Sequence, residues 1–239
     1  MNMKLYFLPG CLGLLVSAGL FFSIWPQADI WVSQLFYAGD GKFPANQLFV
    51  VQAVYNGVPW IGRILFFISI SFLLLAIFFP FQVSRRNWRR SSAFFCVVIL
   101  GIGLIVHSVL KDGMGRPRPR DIAEFSGPTS YVPVFTTSHF CATNCSFVSG
   151  HAAVGFSLMS LGMLGVKRRR HFWFSVGLIS GGLIGFVRIA QGGHFLSDII
   201  FSFVAVWLTY LLIRGVWLRF RVWQLFKPRL AVPILKQNL

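Results

Sequence analysis

The chain alternates long apolar runs with short polar punctuation, and the runs have the length of membrane spans. Six stretches, about 5–25, 58–82, 93–110, 150–166, 172–190 and 195–213, carry few or no charges and approach the ~20 apolar residues that a helix needs to cross a hydrocarbon core. Backbone polar groups in lipid must be satisfied within the helix itself. The pattern therefore predicts an all-α fold: one integral membrane domain over 1–239, a bundle of six transmembrane helices. The first run continues apolar past its only small-residue stretch, and it reads as a retained anchor. Two longer excursions, about 26–57 and 111–148, separate the runs. The apolar part of the first is expected to lie along the membrane interface. In the second, "GRPRPRD" and "FSGPTSYVP" forbid regular helix, and a loop of that length in a compact domain usually serves function. In the fifth run Gly177, Gly181 and Gly185 recur every fourth position, a smooth helical face for close packing.

Composition agrees with a membrane protein: 56% of residues are hydrophobic and 12% charged, with a mean hydropathy of +0.70. A net charge of +16 would point to nucleic acid in a soluble protein, but its placement points elsewhere. Lys4, the runs "SRRNWRR" (84–90) and "KRRR" (167–170), and Arg214, Arg219, Arg221, Lys227, Arg229 and Lys236 supply 15 of the 22 basic residues. Six alternating spans put all of them on one side, which the positive-inside rule makes cytoplasmic, with both termini there. The six acidic residues (Asp29, Asp40, Asp112, Asp121, Glu124, Asp198) fall on the other side. The arginine runs are thus orientation anchors, and no nucleic-acid partner is expected. Cys141 and Cys145 lie in the outer loop, where their spacing permits a disulfide without requiring one.

Ionisable groups at a membrane edge are costly, so clusters of them call for a reason. Three occur, all at outer edges: "KDGMGRPRPR" (111–120), "SFVSGH" (146–151) and "VRIAQGGHFLSD" (187–198). Alternating spans place Lys111, Arg118, Ser149, His151, Arg188, His194 and Asp198 in one layer. With the last helix beginning near Gly193, His194 and Asp198 share a face, so the carboxylate can accept from one imidazole nitrogen and leave the other free to attack. Lys111, Arg118 and Arg188 supply positive charge. Ser149 and Gly150 offer a hydroxyl and backbone N–H groups at a helix start, which favours an anion. Such a pocket suits phosphate, with His151 as proton donor to the leaving oxygen. Arg116 and Arg120 either touch an anionic head group or are solvated loop charges. His139, Cys141, Cys145 and His151 lack a familiar zinc spacing, and neither a metal nor another cofactor is called for.

These elements resemble the type 2 phosphatidic acid phosphatase superfamily, which is related to the vanadium haloperoxidases. Its first motif, Lys, six residues, Arg-Pro, is met by Lys111, Arg118 and Pro119. Its second, Pro-Ser-Gly-His, is met by Ser149, Gly150 and His151, with Val148 in place of proline. Its third, Ser-Arg, five residues, His, three residues, Asp, is met by Arg188, His194 and Asp198, with Val187 in place of serine. The motif-bearing core spans about 93–213. The resemblance implies attack by His194 to give a phosphohistidine, oriented and charge-compensated by Asp198. Lys111, Arg118, Arg188, Ser149 and Gly150 would hold the phosphoryl oxygens.

The loop "GRPRPRDIAEFSGP…CATNCSFVSGH" further resembles that of bacterial lipid A phosphatases, the 4′-phosphatase branch in particular. That implies a phosphorylated lipid head group as substrate and a multi-pass position in the bacterial inner membrane, with the site on the periplasmic face. Phosphatases of undecaprenyl pyrophosphate, phosphatidylglycerol phosphate or phosphatidic acid, and lipid phosphotransferases, share the motifs. An anion transporter would also explain buried cations, though not two histidines and an aspartate at this spacing.

Overall fold

The structure, a computed structural model, describes residues 7–79 and 85–220. Lys4 and the basic residues beyond Phe220 lie outside the described residues. Regular structure is helical: α1 (Phe7–Ile24), α2 (Gln27–Gln34), α3 (Phe49–Phe78), and α4 (Arg85–Cys96). The last continues as a π-helix over Val97–Lys111 and closes with a single turn, α5 (Asp112–Met114). Then follow α6 (Gly150–Ser157), which runs into a 3-10 helix at Leu158–Gly162, α7 (Lys167–Ala190) and α8 (Leu196–Phe220). The only β contact among the described residues is an isolated bridge between Ile122 and Thr129.

Four helices are long and apolar enough to cross a membrane: α3, α4 with its π continuation, α7 and α8. The bent pair α1 and α2, turned by 85°, raises the number to five. The run expected over 150–166 does not reach that length. Its eight α-helical and five 3-10 residues rise roughly 22 Å, short of the ~30 Å of a hydrocarbon core. The apolar stretch expected to lie along the interface is instead the opening of α3, which begins at Phe49.

The central helix is α8. In its most apolar window 61% of residues are buried, against 6% in α3, and it touches α1, α2, α6, α7 and the π-helix. By contrast α3 turns Trp60, Ile61, Ile64 and Phe67 outward, an apolar exterior too large for water. The glycine stripe of α7 is a packing face. A Cβ on Gly181 would lie 2.1 Å from the Phe156 ring, and one on Gly185 would lie 2.4 Å from Ile199. This close approach to α6 and α8 fixes the end of α7, where Arg188 sits.

The helix ends sort into two groups. The C-terminal ends of α1, the π-helix and α7 meet the N-terminal ends of α3, α6 and α8, while the basic runs of α4 and α7 lie at the opposite end. Over the first group fold the two loops, joined by a small core of Phe43, Ile122, Phe125 and Phe195 with Tyr37 and Tyr131 against it. Tyr37 and Ser126 share a hydroxyl hydrogen bond of 2.8 Å across them.

Candidate active site

His194 precedes α8 by two residues and is 1% exposed. Its Nδ1 lies 2.7 Å from the Ser146 carbonyl oxygen and 3.5 Å from Asp198 Oδ2. A carbonyl oxygen can only accept, so Nδ1 carries the proton and Nε2 keeps the lone pair. The carboxylate is thus a neighbour of the imidazole rather than its main hydrogen-bond partner, a correction to the expected geometry. Its oxygens are engaged elsewhere. Oδ2 accepts from Ser146 Oγ at 2.5 Å and from the Phe195 N–H at 2.8 Å, and Oδ1 accepts from Arg116 at 2.7 Å. The bond to Phe195 is the reciprocal half of a capping box: the third residue of α8 reaches back to the residue before the helix. Burial, followed by the Arg188 and Lys111 charges, outweighs Asp198 and pushes the His194 pKa down to about 3.

The second histidine opens α6. Ser149, fully buried, caps that helix by accepting from the Ala152 N–H at 3.4 Å, and its own N–H reaches the Asp198 carbonyl at 3.4 Å. The α6 start and the α8 start are therefore held together. His151 stacks on Tyr55 of α3, ring centroids 5.2 Å apart, and its Nε2 faces the Tyr55 carbonyl at 3.1 Å. Its Nδ1 is left for proton transfer.

Arg188 is buried and lies over the same Tyr55 ring, its guanidinium carbon 4.7 Å from the ring centroid. One terminal nitrogen donates to Gln191, while Nε is buried with no acceptor among the described residues. A buried N–H without a partner is rare and suits an anion. Gly193 makes room for this group, since a Cβ there would lie 2.5 Å from Arg188 Nη2. Lys111 is 5% exposed and, with Gly150, His151 and Asn144, lines a cavity of about 600 Å³. Arg118 is half-buried, and it donates to the Asn144 carbonyl at 2.7 Å. Burial and the Arg120 charge lower its pKa. Arg120 is exposed at the rim, 3.8 Å from Asp121, and its backbone N–H bonds Gly192 at 3.1 Å.

Arg116 is neither a head-group contact nor a solvated loop charge. It is fully buried, and all five of its N–H groups are used within the protein. Nε donates to the Val132 carbonyl (2.8 Å), Nη1 to Ser197 Oγ (2.9 Å) and Asp198 Oδ1 (2.7 Å), and Nη2 to Asp29 Oδ2 (2.8 Å) and the Tyr131 hydroxyl (3.2 Å). Burial alone would lower its pKa; Asp198 and Asp29 outweigh that and raise it. Cys141 and Cys145 are joined by a disulfide, which removes both thiolates from any zinc set.

Residues 92–221 match the PAP2 superfamily. The chain belongs to that superfamily. Among its relatives is the lipid A 4′-phosphatase of Francisella tularensis subsp. novicida, 36% identical over 84% of this chain and 94% of the relative. The lipid A 4′-phosphatases of Rhizobium etli and Rhizobium leguminosarum are each 26% identical. The first match covers 74% of both chains, the second 77% of this chain and 84% of the relative. No solved structure matches the chain.

Around these superfamily motifs the structure adds residues that the sequence did not single out: Asp29, Tyr55, Asn144, Ser146 and Ser197. Asp29 carried a signal, an acid inside the apolar run "QADIWVSQLF". The others act through backbone carbonyls, ring faces or single hydroxyls, which leave no pattern along a chain.

Proposed function

We propose that this PAP2 protein is a lipid A phosphatase that removes the 4′-phosphate through a phosphohistidine on His194. One observation carries the reading: His194 presents an unprotonated Nε2 at the meeting point of two helix starts, with Lys111 and Arg188 buried beside it. The Nε2 lone pair attacks phosphorus, and the breaking P–O bond gives its electrons to the sugar oxygen, which takes the Nδ1 proton of a His151 that the bound phosphate anion keeps doubly protonated. As charge spreads over the equatorial oxygens, Lys111, Arg118, the Arg188 Nε, the Ser149 hydroxyl and the Gly150 N–H hold it. His151 then takes a proton from water, whose oxygen attacks phosphorus; the P–Nε2 bond breaks, its electrons return to His194, and phosphate leaves. Asp198 balances the positive imidazole between the two steps. Side chains supply every charge, so the mechanism needs no metal.

The substrate assignment rests on the relatives and on the cavity beside His151. It runs from Lys111 inward between α3, α4 with its π-helix, and α6, and Val58, Phe66, Phe94, Val98 and Ile102 line it. Such an apolar channel suits an acyl chain. Arg120 at the rim suits a head group with more than one anionic charge. For topology we favour six passes, with α1–α2 and the short α6 segment each counted as one. The basic runs of α4 and α7 would then face the cytoplasm, and the site would open at the periplasmic face of the inner membrane.

The test uses protein purified in detergent with EDTA present. Bisphosphorylated lipid A, undecaprenyl pyrophosphate and phosphatidylglycerol phosphate are offered in parallel, with His194→Ala as control. Phosphate release from lipid A, loss of the 4′ group by fragmentation of the product, and no release by the variant are expected. Turnover of the other two lipids at equal or greater rates would overturn the substrate, and full activity of His194→Ala would overturn the mechanism.

A further inference from the structure

We infer that Asp29 and Arg116 are positioning residues for phosphoryl transfer, a buried relay that sets the orientation and effective charge of Asp198 behind the nucleophile. The inference rests on the phosphohistidine reading above.

The relay spans the fold. Asp29 lies on α2, Arg116 in the loop after α5, and Asp198 in the first turn of α8, and all three side chains are 0% exposed. Asp29 accepts from Arg116 at 2.8 Å, from Ser197 Oγ at 2.5 Å and from the Ser197 N–H at 2.9 Å. Arg116 in turn holds Asp198 Oδ1 at 2.7 Å, its guanidinium carbon 4.3 Å from the Phe195 ring centroid. The tight turn between α1 and α2 brings Asp29 to this place, and Tyr131 fastens it by donating to the Pro26 carbonyl at 2.9 Å.

Burying three charges is costly, and a stable fold would be served as well by apolar residues of the same volume. A charge argument accounts for the third member. Arg116 alone would orient Asp198 but would also cancel its charge. Asp29 on the far side restores one net negative charge to the group that faces His194. That charge is needed when the imidazole becomes positive, because Lys111 and Arg188 already oppose positive charge there. In the resting enzyme His194 is neutral, so the relay stabilises the phosphorylated state and the approach to it more than substrate binding.

Orthovanadate, which takes a fifth ligand and mimics the in-line transfer, separates this role from that of a structural brace. Its affinity and stoichiometry are measured beside those of inorganic phosphate for native protein, Asp29→Asn, Arg116→Met, Ser197→Ala and His194→Ala. The relay predicts that Asp29→Asn and Arg116→Met bind vanadate about 10- to 100-fold more weakly at native stoichiometry, with phosphate affinity within about threefold. A brace predicts lower stoichiometry with native affinity at the sites that remain, and that result overturns the proposal. Should the charged-residue variants fail to fold, Ser197→Ala decides: a selective weakening toward vanadate supports the relay, and an unchanged ratio of the two affinities overturns it. His194→Ala reports on the underlying reading. If it keeps native vanadate affinity, the nucleophile assignment has failed and the relay with it; if it alone loses affinity, only the relay has failed.

Discussion

The His194 Nδ1 is nearer to the Ser146 carbonyl oxygen, at 2.7 Å, than to the Asp198 carboxylate, at 3.5 Å. The backbone therefore fixes the imidazole tautomer, and the acid contributes charge. Where a carboxylate is the only acceptor for a catalytic imidazole, changing it to the amide costs about 10⁴-fold in kcat through the wrong tautomer. Here Asp198→Asn leaves the tautomer in place, and the Asp29–Arg116 pair stays balanced. A smaller loss, about 10²-fold in kcat or roughly 2.7 kcal/mol, is expected in steady-state assays of the purified variant. A loss as large as that of His194→Ala would show that Asp198 does more.

Two glycines should fail in different ways. At Gly193 an added methyl meets the guanidinium end of the Arg188 side chain at 2.5 Å, whereas at Gly181 it lies 2.1 Å from an atom of the Phe156 ring. Gly193→Ala should lower kcat/KM about tenfold, as expected when one charge-assisted contact is displaced, with the thermal midpoint within a few degrees of native. Gly181→Ala forces α6 and α7 apart and should destabilise by about 1–3 kcal/mol. Thermal unfolding in detergent, read beside activity, separates the two.

The disulfide should be felt in substrate binding. Cys141 and Cys145 close the turn that carries Asn144, whose carbonyl holds Arg118 at 2.7 Å. Reduction, or Cys141→Ser with Cys145→Ser, frees that carbonyl and lets Arg118 wander. A severalfold rise in KM, about the effect of one displaced hydrogen bond to a charge, with kcat less changed, is expected in kinetics with and without dithiothreitol.

Acidity should act on stability through His194. Its pKa is pushed down from 6.5 to about 3, chiefly by burial, so the folded protein stays unprotonated there while the unfolded chain takes a proton. Linkage then requires stability to fall as pH falls below 6.5 toward 3. Relative to His194→Asn, the native protein should lose thermal stability over that window, with the two curves parallel above pH 7. Equal slopes at acid pH would contradict a neutral buried imidazole.

The residues proposed for catalysis are conspicuous in the sequence for a physical reason: Lys111, Arg118, His151, Arg188, His194 and Asp198 are ionisable residues in an apolar chain, and each stands out at its cost. The long spans were equally visible, since hydropathy alone marks α3, α7 and α8. What spacing along the chain could not reveal was any relationship made by folding loops over the helix ends. Arg116 is a charge in a Pro-rich loop by sequence and the hub of a buried network in space. Its partner Asp29 comes from the far end of the chain. The α6 segment is shorter as regular helix than its sequence suggests, for another reason. Its apolar run is continuous, but regular α-helix gives way after Ser157 to a 3-10 stretch over Leu158–Gly162.

The channel between α3 and the π-helix has a kinetic meaning. A lipid whose chain lies there is drawn from the surrounding sheet of lipid, so encounters take place in two dimensions and the working concentration is a count per area. Adding detergent at constant substrate should then slow the reaction as a diluent would, and the velocity should follow the mole fraction of lipid in the mixed micelle rather than its molarity in the tube.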